Sequence, residues 1–228
     1  MDILEIKDLE TLAQKRVPKM FFDYVNSGSW TETTYNENIS DFQKIKLRQR
    51  VAIDMSNRTL ATKMVNQSVS MPVAIAPTGL TGMQRADGEI LAAQAAEEFG
   101  IPFTLSTMSV CSIEAVAEKT KKPFWFQLYV MKDKKFMARL IDRAKEAKCS
   151  ALVLTLDLQI LGQRHKDVRN GLSTPPKLIP KHIYQVLTRP MWCLRMLTTK
   201  NHFFGNIVGH VQGINCLLYT SDAADEMR

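Results

Sequence analysis

The sequence predicts an α/β fold of the (β/α)8 TIM-barrel class, of which the chain supplies about the first four βα units. Short apolar runs, too brief for helices, recur about every 22 to 30 residues and alternate with segments of helical periodicity. Polar residues stand where the runs end, which is where a parallel barrel places its active site. The four runs are Val73–Ala76, Ile101–Leu105, Pro123–Val130 and Ala151–Leu156.

A helix is predicted before each of the last three strands. The helical segments are Asp87–Phe99, Ser112–Glu118 and Lys134–Ala147, and Gly100 is a typical stop for the first. Strands that alternate with helices in this way favour a parallel sheet.

Residues 1–70 form a predicted helical extension ahead of the barrel. Helices are expected over residues 4–15 and 17–26 and over Thr31–Phe42. Ile45–Arg50 and Ser68–Met71 are predicted to be small strands that plug the bottom of the barrel. The apolar stripe expected on the first helix consists of Leu4, Ile6, Leu9 and Leu12.

Length limits how much of the barrel is present. A closed βα barrel needs about 250 residues, whereas the chain has 228 residues and its first barrel strand starts near Met71. We therefore expect half a barrel over residues 71–163, an insertion over 164–215, and a tail over 216–228.

The insertion carries the basic charge of the chain. Residues 164–215 hold eight of the 30 Lys and Arg but one acid, Asp167, which equals the net charge of +7 of the whole chain. Short helices are expected over His182–Leu187 and Met191–Leu197. Because Trp192 and Phe203 are interleaved with the basic residues, the pattern favours an anionic membrane surface. A solvated loop is an equally common reading, and nucleic acid is disfavoured because no zinc finger or RNP sequence occurs.

Other composition signals exclude several classes. The N-terminus MDILEIKDLE lacks an apolar signal core, and no run of about 18 apolar residues occurs, so neither secretion nor a membrane span is expected. The four cysteines show no CxxC spacing. They predict reduced thiols in a cytosolic protein and no metal site.

Candidate site residues follow the predicted strands. Pro77, Thr78 and Gly79 open the first loop, PTGLTG, which lets a flat ring approach the main chain closely. Ser106 ends the second strand. Gln127 and Tyr129 alternate at the end of the third, so they share one face; ordinary polar caps of a strand are the alternative.

Thr155 and Asp157 alternate in the same way at the end of the fourth strand. An acid at that place needs a partner, and its useful role is to orient and polarise a histidine. Arg164 offers a planar fork that suits a carboxylate. A surface arginine and a turn aspartate are the alternative, and Tyr24, beside two Phe, favours core packing by itself.

Several motifs together resemble one family closely, the FMN-dependent α-hydroxy-acid dehydrogenases and oxidases, and within it the branch of bacterial respiratory L-lactate dehydrogenases. The resemblance runs to about Gly213 and is carried by FFDYVNSG, LRQR, SMPVAIAPTGLTGM, GIPFTLSTMSV, PFWFQLYV and LTLDLQILGQRHKDVRNG.

The resemblance implies a role for each candidate residue. FMN contacts would come from the Pro77–Gly79 backbone, Ser106, Gln127 and Thr155. Tyr24, Tyr129 and Arg164 would hold the carboxylate and hydroxyl of the substrate, with Tyr129 also a catalytic donor. Asp157 would support a catalytic histidine.

The implied reaction oxidises (S)-lactate to pyruvate. A histidine removes a proton while a hydride equivalent reaches the flavin, which the respiratory chain reoxidises through a quinone. The resemblance also implies a homo-oligomeric full-length protein, peripheral on the inner face of the cell membrane. Another 2-hydroxy acid, such as glycolate or mandelate, is an alternative substrate, and Met108 is a candidate for that selection. A non-enzymatic basic fragment that binds membrane or nucleic acid is the alternative from a different class.

The sequence departs from the family pattern after the insertion. The FMN-binding lysine and the SNHGGRQ-like stretch with the catalytic histidine are missing, and none of the four histidines lies in that motif. Residues 216–226 look like the translation of a transposase sequencing adapter; genuine coding sequence that continues in frame after Asn215 would refute this hypothesis. We expect the 228-residue chain to be inactive alone.

Overall fold

The structure, a computed structural model, describes residues 2–156, 162–172 and 180–210. Ten helices and five strands lie within these ranges. In chain order they are α1 (Ile6–Arg16), α2 (Lys19–Val25), α3 (Thr33–Lys44), β1 (Thr62–Met64), β2 (Gln67–Val69), α4 (Thr81–Gln84), α5 (Gly88–Phe99), β3 (Thr104–Ser106), α6 (Ile113–Lys119), β4 (Trp125–Tyr129), α7 (Lys134–Glu146), β5 (Ala151–Thr155), α8 (His165–Arg169), α9 (Pro180–Leu187) and α10 (Pro190–Thr198).

The predicted parallel sheet is present as three neighbouring strands in the order β3-β4-β5. The register pairs Ser106 with Gln127, and Tyr129 with Thr155. Helix α6 connects β3 to β4, and α7 connects β4 to β5. The strand–helix alternation of an open, partial βα barrel is therefore confirmed.

The main core lies between one face of this sheet and the helices α5, α6 and α7. Leu105 and Phe126 project from the strands into it and are fully buried, as are Ile113 of α6 and Phe136 of α7. Helix α7 begins in a fixed place because the Asp133 carboxylate accepts hydrogen bonds from the first-turn amides. The opposite face carries Ser106, Gln127, Tyr129 and Thr155 toward the carboxyl ends of the strands, and Trp125 and Val153 among its apolar residues.

The first predicted strand, Val73–Ala76, is reduced to a single parallel bridge, so its predicted length was wrong. Ile75 N donates to Pro102 O (2.9 Å), and Thr104 N donates to Ile75 O (3.0 Å). The next donors of a parallel ladder would be the amides of residues 77 and 102. Both are prolines, which have no N–H. The ladder therefore stops after one residue.

The N-terminal extension contains the three predicted helices, and the predicted strand Ser68–Met71 is confirmed in part, because Ser68 and Val69 lie in β2. Ile45–Arg50 forms no strand, because its alternating apolar and basic residues find no neighbouring strand within the described residues. Instead, β1 and β2 form a hairpin, whose turn residues Val65 and Asn66 have positive φ (46° and 62°). The apolar stripe expected on α1 is present, but most of it is exposed: Leu4, Ile6 and Leu9 are 89%, 85% and 46% exposed, and Leu12 is partly buried.

The basic segment folds back onto the extension, with both predicted helices present as α9 and α10 and an unpredicted short helix, α8. The Trp192 indole stacks on Phe21 with centroids 5.7 Å apart, and its Nε1 donates to Met83 O (2.8 Å). Gln185 Oε1 accepts from Met20 N (3.0 Å). A row of large apolar side chains nevertheless stays 56 to 82% exposed: Ile183, Tyr184, Leu187, Met191, Leu194 and Leu197. In the described part of the chain, every helix is too short or too polar to cross a membrane.

Candidate active site

Three strand ends are joined by a chain of side-chain hydrogen bonds. Ser106 Oγ donates to Gln127 Oε1 (3.2 Å), and Gln127 Nε2 donates to Thr155 Oγ1 (2.7 Å). The parallel register makes this possible, because it sets the carboxyl ends of β3, β4 and β5 side by side. The amide of Gln127 is thus fixed at both ends, and its exposed fraction is 1%.

The loop after β3 forms hydrogen bonds with both the side chain and the main chain of Gln127. Thr107 Oγ1 donates to Gln127 O (2.6 Å), and Thr107 N donates to Gln127 Oε1 (3.3 Å). Met108 N in turn donates to Ser106 Oγ (3.1 Å). The loop therefore presents main chain and small hydroxyl groups in a fixed arrangement.

The first loop lies against the second one. Leu80 N donates to Met108 O (3.1 Å). A methyl group placed on Gly79 would lie 3.0 Å from Tyr24 Oη and 3.5 Å from Met108 Cβ. Glycine therefore lets Tyr24, the first loop and the second loop approach one another closely. Pro77 and Thr78 precede it and are exposed.

Tyr24 and Arg164 form the second part of the site. The guanidinium lies 4.7 Å from the Tyr24 ring centroid, and Nη2 donates to Tyr24 O and to Ser27 Oγ (2.9 Å). Arg164 Nε lies 3.0 Å from Asp167 Oδ2. Helices α2 and α8 produce this contact because they pack against each other.

Burial shifts the pKa values of two residues beside Arg164, namely Tyr24 and Asp167. It raises the pKa of Tyr24, against the opposing effect of the Arg164 charge. Burial also raises the pKa of Asp167, again opposed by Arg164. Tyr24 therefore stays protonated at neutral pH and can donate a hydrogen bond to an anion.

Most of the predicted site residues meet, and the rest are accounted for individually. Ser106, Gln127 and Thr155 form the strand-end chain, and Gly79 links it through Met108 to Tyr24 and Arg164. Tyr129 ends β4, is partly buried and pairs in register with Thr155. Asp157 lies outside the described residues. Tyr24 is partly buried and contacts Arg164, and its role in substrate binding stays a prediction.

Sequence reasoning missed two buried polar residues that support the loops. Glu89 Oε1 of α5 accepts from Gly82 N (3.0 Å) and Val110 N (2.9 Å), which joins the first loop to the second. Asn206 Oδ1 accepts from Ile113 N (2.9 Å), and its Nδ2 donates to Ser109 Oγ (2.9 Å). Both contacts join distant parts of the chain, so no local pattern signals them. The contact of Ser27 with Arg164 was missed for the same reason, whereas Asp167 lies only three residues after Arg164.

The arrangement fits a flat, polar ring system such as the isoalloxazine of FMN. The main chain at Pro77 and Thr78 is exposed beside Gly79, and hydroxyl and amide groups lie along the strand ends. Thr155 Oγ1 accepts from Gln127 and keeps its own O–H for a ligand. Such a set can fix the edge of a ring by hydrogen bonds, while Tyr24 and Arg164 offer donors to an anionic group.

The model of the FMN-dependent dehydrogenase family matches residues 13–217. L-lactate dehydrogenase of Acinetobacter baumannii is 46% identical over 201 residues, which are 88% of this chain and 52% of that protein. L-lactate dehydrogenase of Acinetobacter baylyi is 44% identical over 208 residues, 91% of this chain and 54% of that protein. The chain thus spans about half the length of the curated relatives it matches.

Two solved structures also match the chain over most of its length. The crystal structure of the monotopic membrane protein (S)-mandelate dehydrogenase matches with a TM-score of 0.87 and 31% identity, over 95% of this chain and 57% of that one. A lactate oxidase structure from Pediococcus acidilactici matches with a TM-score of 0.72 and 29% identity, over 84% and 53%. The chain belongs to the FMN-dependent dehydrogenase family.

Proposed function

We propose that the protein to which this chain belongs uses FMN to oxidise (S)-lactate to pyruvate. One observation carries the proposal: the Ser106–Gln127–Thr155 chain is linked through Gly79 to Tyr24 and Arg164. This arrangement supports a ring-binding site next to an anion-binding site. The L-lactate dehydrogenases at 44 to 46% identity support lactate as the substrate.

The strand ends would hold the cofactor. The Pro77–Gly79 main chain, Ser106, Gln127 and Thr155 are the groups in position to bind and orient FMN. When bound, FMN supplies the two-electron acceptor for the reaction. Because Gln127 is locked between Ser106 and Thr155, these groups are already oriented before a ligand arrives.

Substrate binding would fall to Tyr24, Arg164 and Tyr129. Arg164 offers positive charge to the carboxylate, and Tyr24, held protonated by burial, offers a hydrogen bond. Tyr129 would donate to the oxygen on which negative charge develops. We assign to Asp157 the support of a histidine base supplied by a part of the protein that does not occur in this sequence.

We also propose that the protein works at a membrane surface and passes its electrons to a quinone of the respiratory chain. The exposed apolar row on α9 and α10, within a segment of net charge +7, supports peripheral contact with an anionic bilayer. The likeness to a monotopic membrane dehydrogenase supports the same placement. The inner face of the cell membrane and a homo-oligomeric full-length state remain predictions.

A second candidate substrate is mandelate. The structural match with the TM-score of 0.87 is an (S)-mandelate dehydrogenase, and Met108 lies beside Gly79, where it would contact a larger side chain of the substrate.

A chimera can test the substrate. Residues 1–210 of this chain would be joined to the remaining half of the Acinetobacter baylyi L-lactate dehydrogenase, and kcat/KM measured for (S)-lactate, glycolate and (S)-mandelate. We expect (S)-lactate to give the largest value. A larger value for (S)-mandelate would replace lactate by mandelate, and activity with none of them would remove the proposal.

The 228-residue chain alone is expected to neither retain FMN nor reduce an electron acceptor with lactate. Only three parallel strands and one bridge are present among the described residues, so the cofactor site is open on one side. The check is the absorbance of purified protein between 350 and 500 nm (roughly the flavin range). A yellow preparation that lactate bleaches would contradict this expectation.

The non-enzymatic alternative has its own test. If the chain acts only through its basic segment, it will float with anionic liposomes or shift DNA, and the chimera will show no oxidation of any hydroxy acid.

A further inference from the structure

A cavity outside the strand-end site is lined by α1, α4, α10 and the residues that lead into α10. Its volume is about 680 Å³, within the range of roughly 300–1,000 Å³ typical of small-molecule sites. Helices α1, α4 and α10 form its walls, and the start of α10 at Pro190 opens into it. No role in the proposed oxidation falls to this cavity.

All charged residues that line the cavity are cationic. Five of the lining residues are cationic and none is acidic. Within the described residues, none of the five has a carboxylate within 4 Å, whereas Arg143 and Arg164 each have one. The five cations are Lys15, Arg16, Arg85, Arg189 and Arg195. Such a set of unpaired positive charges around one cavity favours an anionic ligand.

One donor atom of Arg189 supports the binding of an anion in this cavity. Its Nε is shielded from solvent, and within the described residues it has no hydrogen-bond partner. A buried N–H of a guanidinium without an acceptor is destabilising. Arg189 is also the N-cap residue of α10, where the helix dipole adds positive potential. An oxygen of an anion in the cavity would satisfy both groups.

The cavity is apolar as well as basic. Leu9, Leu12 and Met191 line it beside the Trp192 indole. Ile6 and Leu194, which belong to the helices α1 and α10 that line the cavity, are more than half exposed. A ligand that matches this surface has a compact anionic head and an apolar tail.

We propose that this cavity binds the phosphate-bearing headgroup of an anionic phospholipid. The cations would contact the phosphate oxygens, which Arg binds at two points, and the acyl chains would lie along the exposed apolar side chains of α1 and α10. The cavity would thereby fix the orientation of the protein on the bilayer. This inference rests on the membrane contact proposed above and adds a defined site to it.

The test separates a built site from general attraction to a charged surface. Dihexanoyl phosphatidylglycerol, kept below its micelle concentration, is titrated into the full 228-residue chain by calorimetry, so that no bilayer surface exists. We expect saturable binding of one lipid per chain, and no comparable binding of inorganic phosphate, which cannot use the apolar wall.

Two double variants, each lacking two positive charges, are compared: one alters the cavity and the other is its control. Arg85→Gln with Arg189→Gln removes two cations of the cavity. Lys181→Gln with Lys200→Gln removes two exposed cations of the basic segment that do not line it. The cavity variant should bind the soluble lipid at least about tenfold more weakly, since loss of even one charge-assisted hydrogen bond to the phosphate costs roughly that factor. The control variant should bind like the unmodified chain.

Each contrary result overturns the proposal. Absence of saturable binding by the unmodified chain does so whether or not the variants fold, and equal losses in both variants would show general charge attraction only. Inorganic phosphate that binds as tightly as the lipid would identify a free-phosphate site. Flotation of the chain with phosphatidylglycerol liposomes tests the membrane contact separately: flotation without soluble-lipid binding removes the cavity site alone, and no flotation removes the membrane contact.

Discussion

At the scale of single residues, the site depends on Gln127. Its amide oxygen accepts from Ser106, and its amide nitrogen donates to Thr155. Only a side chain with both a donor and an acceptor can join two hydroxyl groups in this way. The residue is almost fully buried, so an apolar replacement leaves polar partners unsatisfied.

Gln127→Met should therefore weaken FMN binding by about tenfold or more in the chimera, because Met keeps the volume and removes the donor and acceptor. The measurement is a fluorescence titration of the apoprotein with FMN. Gln94→Met, on the outer surface of α5, is the matched control and should bind FMN normally. Equal affinities of the Gln127 variant and the unmodified chimera would show that the strand-end chain does not hold the cofactor.

Glu114 predicts a pH dependence. Arg143 donates to both carboxylate oxygens (2.6 and 2.8 Å), which lowers the pKa of Glu114 from its ordinary value of 4.5 to about 2. A lowered carboxyl pKa stabilises the folded chain above pH 4.5, and the stabilisation disappears as pH falls toward 2. The carboxyl is more than half exposed, so the effect is about 1 kcal/mol or less.

Urea unfolding of the chain and of Glu114→Gln measures this effect. The unmodified chain should be the more stable at pH 6, and the difference should shrink by pH 3. Glu118→Gln, one turn further along α6 and exposed, should show a smaller difference at pH 6. A gap for Glu114→Gln that stays constant between the two pH values would contradict the assigned cause.

At the scale of elements, continuous apolar runs predicted the strands β3, β4 and β5, but they did not show how far each strand pairs with its neighbour. The runs that became β3, β4 and β5 were recognised because continuous apolar residues mark strands covered on both faces. The run at Val73–Ala76 has the same composition, yet Pro77 and Pro102 remove the donors that would extend its ladder. Composition alone does not show which amide faces which carbonyl.

Strand β5 is the exposed edge of the sheet. Within the described residues, it has a neighbour only on the β4 side. Leu152 and Leu154 project from the face that elsewhere meets helices, and they are 47% and 51% exposed. An unpaired strand edge beside exposed leucines promotes association between chains.

Leu152→Lys with Leu154→Lys should reduce self-association of the 228-residue chain, because charge on an edge strand opposes edge-to-edge pairing. Sedimentation velocity at micromolar concentration reports the fraction of monomer. Leu47→Lys with Val51→Lys alters residues that are more exposed but lie outside the sheet, and it should leave association unchanged. An unmodified chain that is monomeric at these concentrations would refute the prediction.

At the scale of the whole molecule, strand periodicity and the family resemblance predicted different residues of the candidate site. Strand periodicity predicted that Ser106, Gln127 and Thr155 come together, since the ends of neighbouring parallel strands lie side by side. The role of Tyr24 came only from the resemblance, because its local sequence favours core packing. Its contact with Arg164 spans 140 residues of sequence. No pattern within a window of 20 residues contains such information.

We therefore expect the described strand-end residues to bind FMN once further strands complete the barrel. Hydrogen bonds fix the Ser106, Gln127 and Thr155 side chains in place. Arg164 Nε and Asp167 Oδ1 are shielded from solvent and have no hydrogen-bond partner among the described residues. The chimera with the Acinetobacter baylyi enzyme supplies the remaining strands from a relative that is 44% identical over the shared part.

Anaerobic flavin absorbance of that chimera is the most direct measurement. We predict that the chimera binds FMN and that (S)-lactate, but not (R)-lactate, bleaches the flavin absorbance. A chimera that folds and binds FMN, yet keeps its full absorbance in excess (S)-lactate and in the other (S)-2-hydroxy acids, would contradict the account.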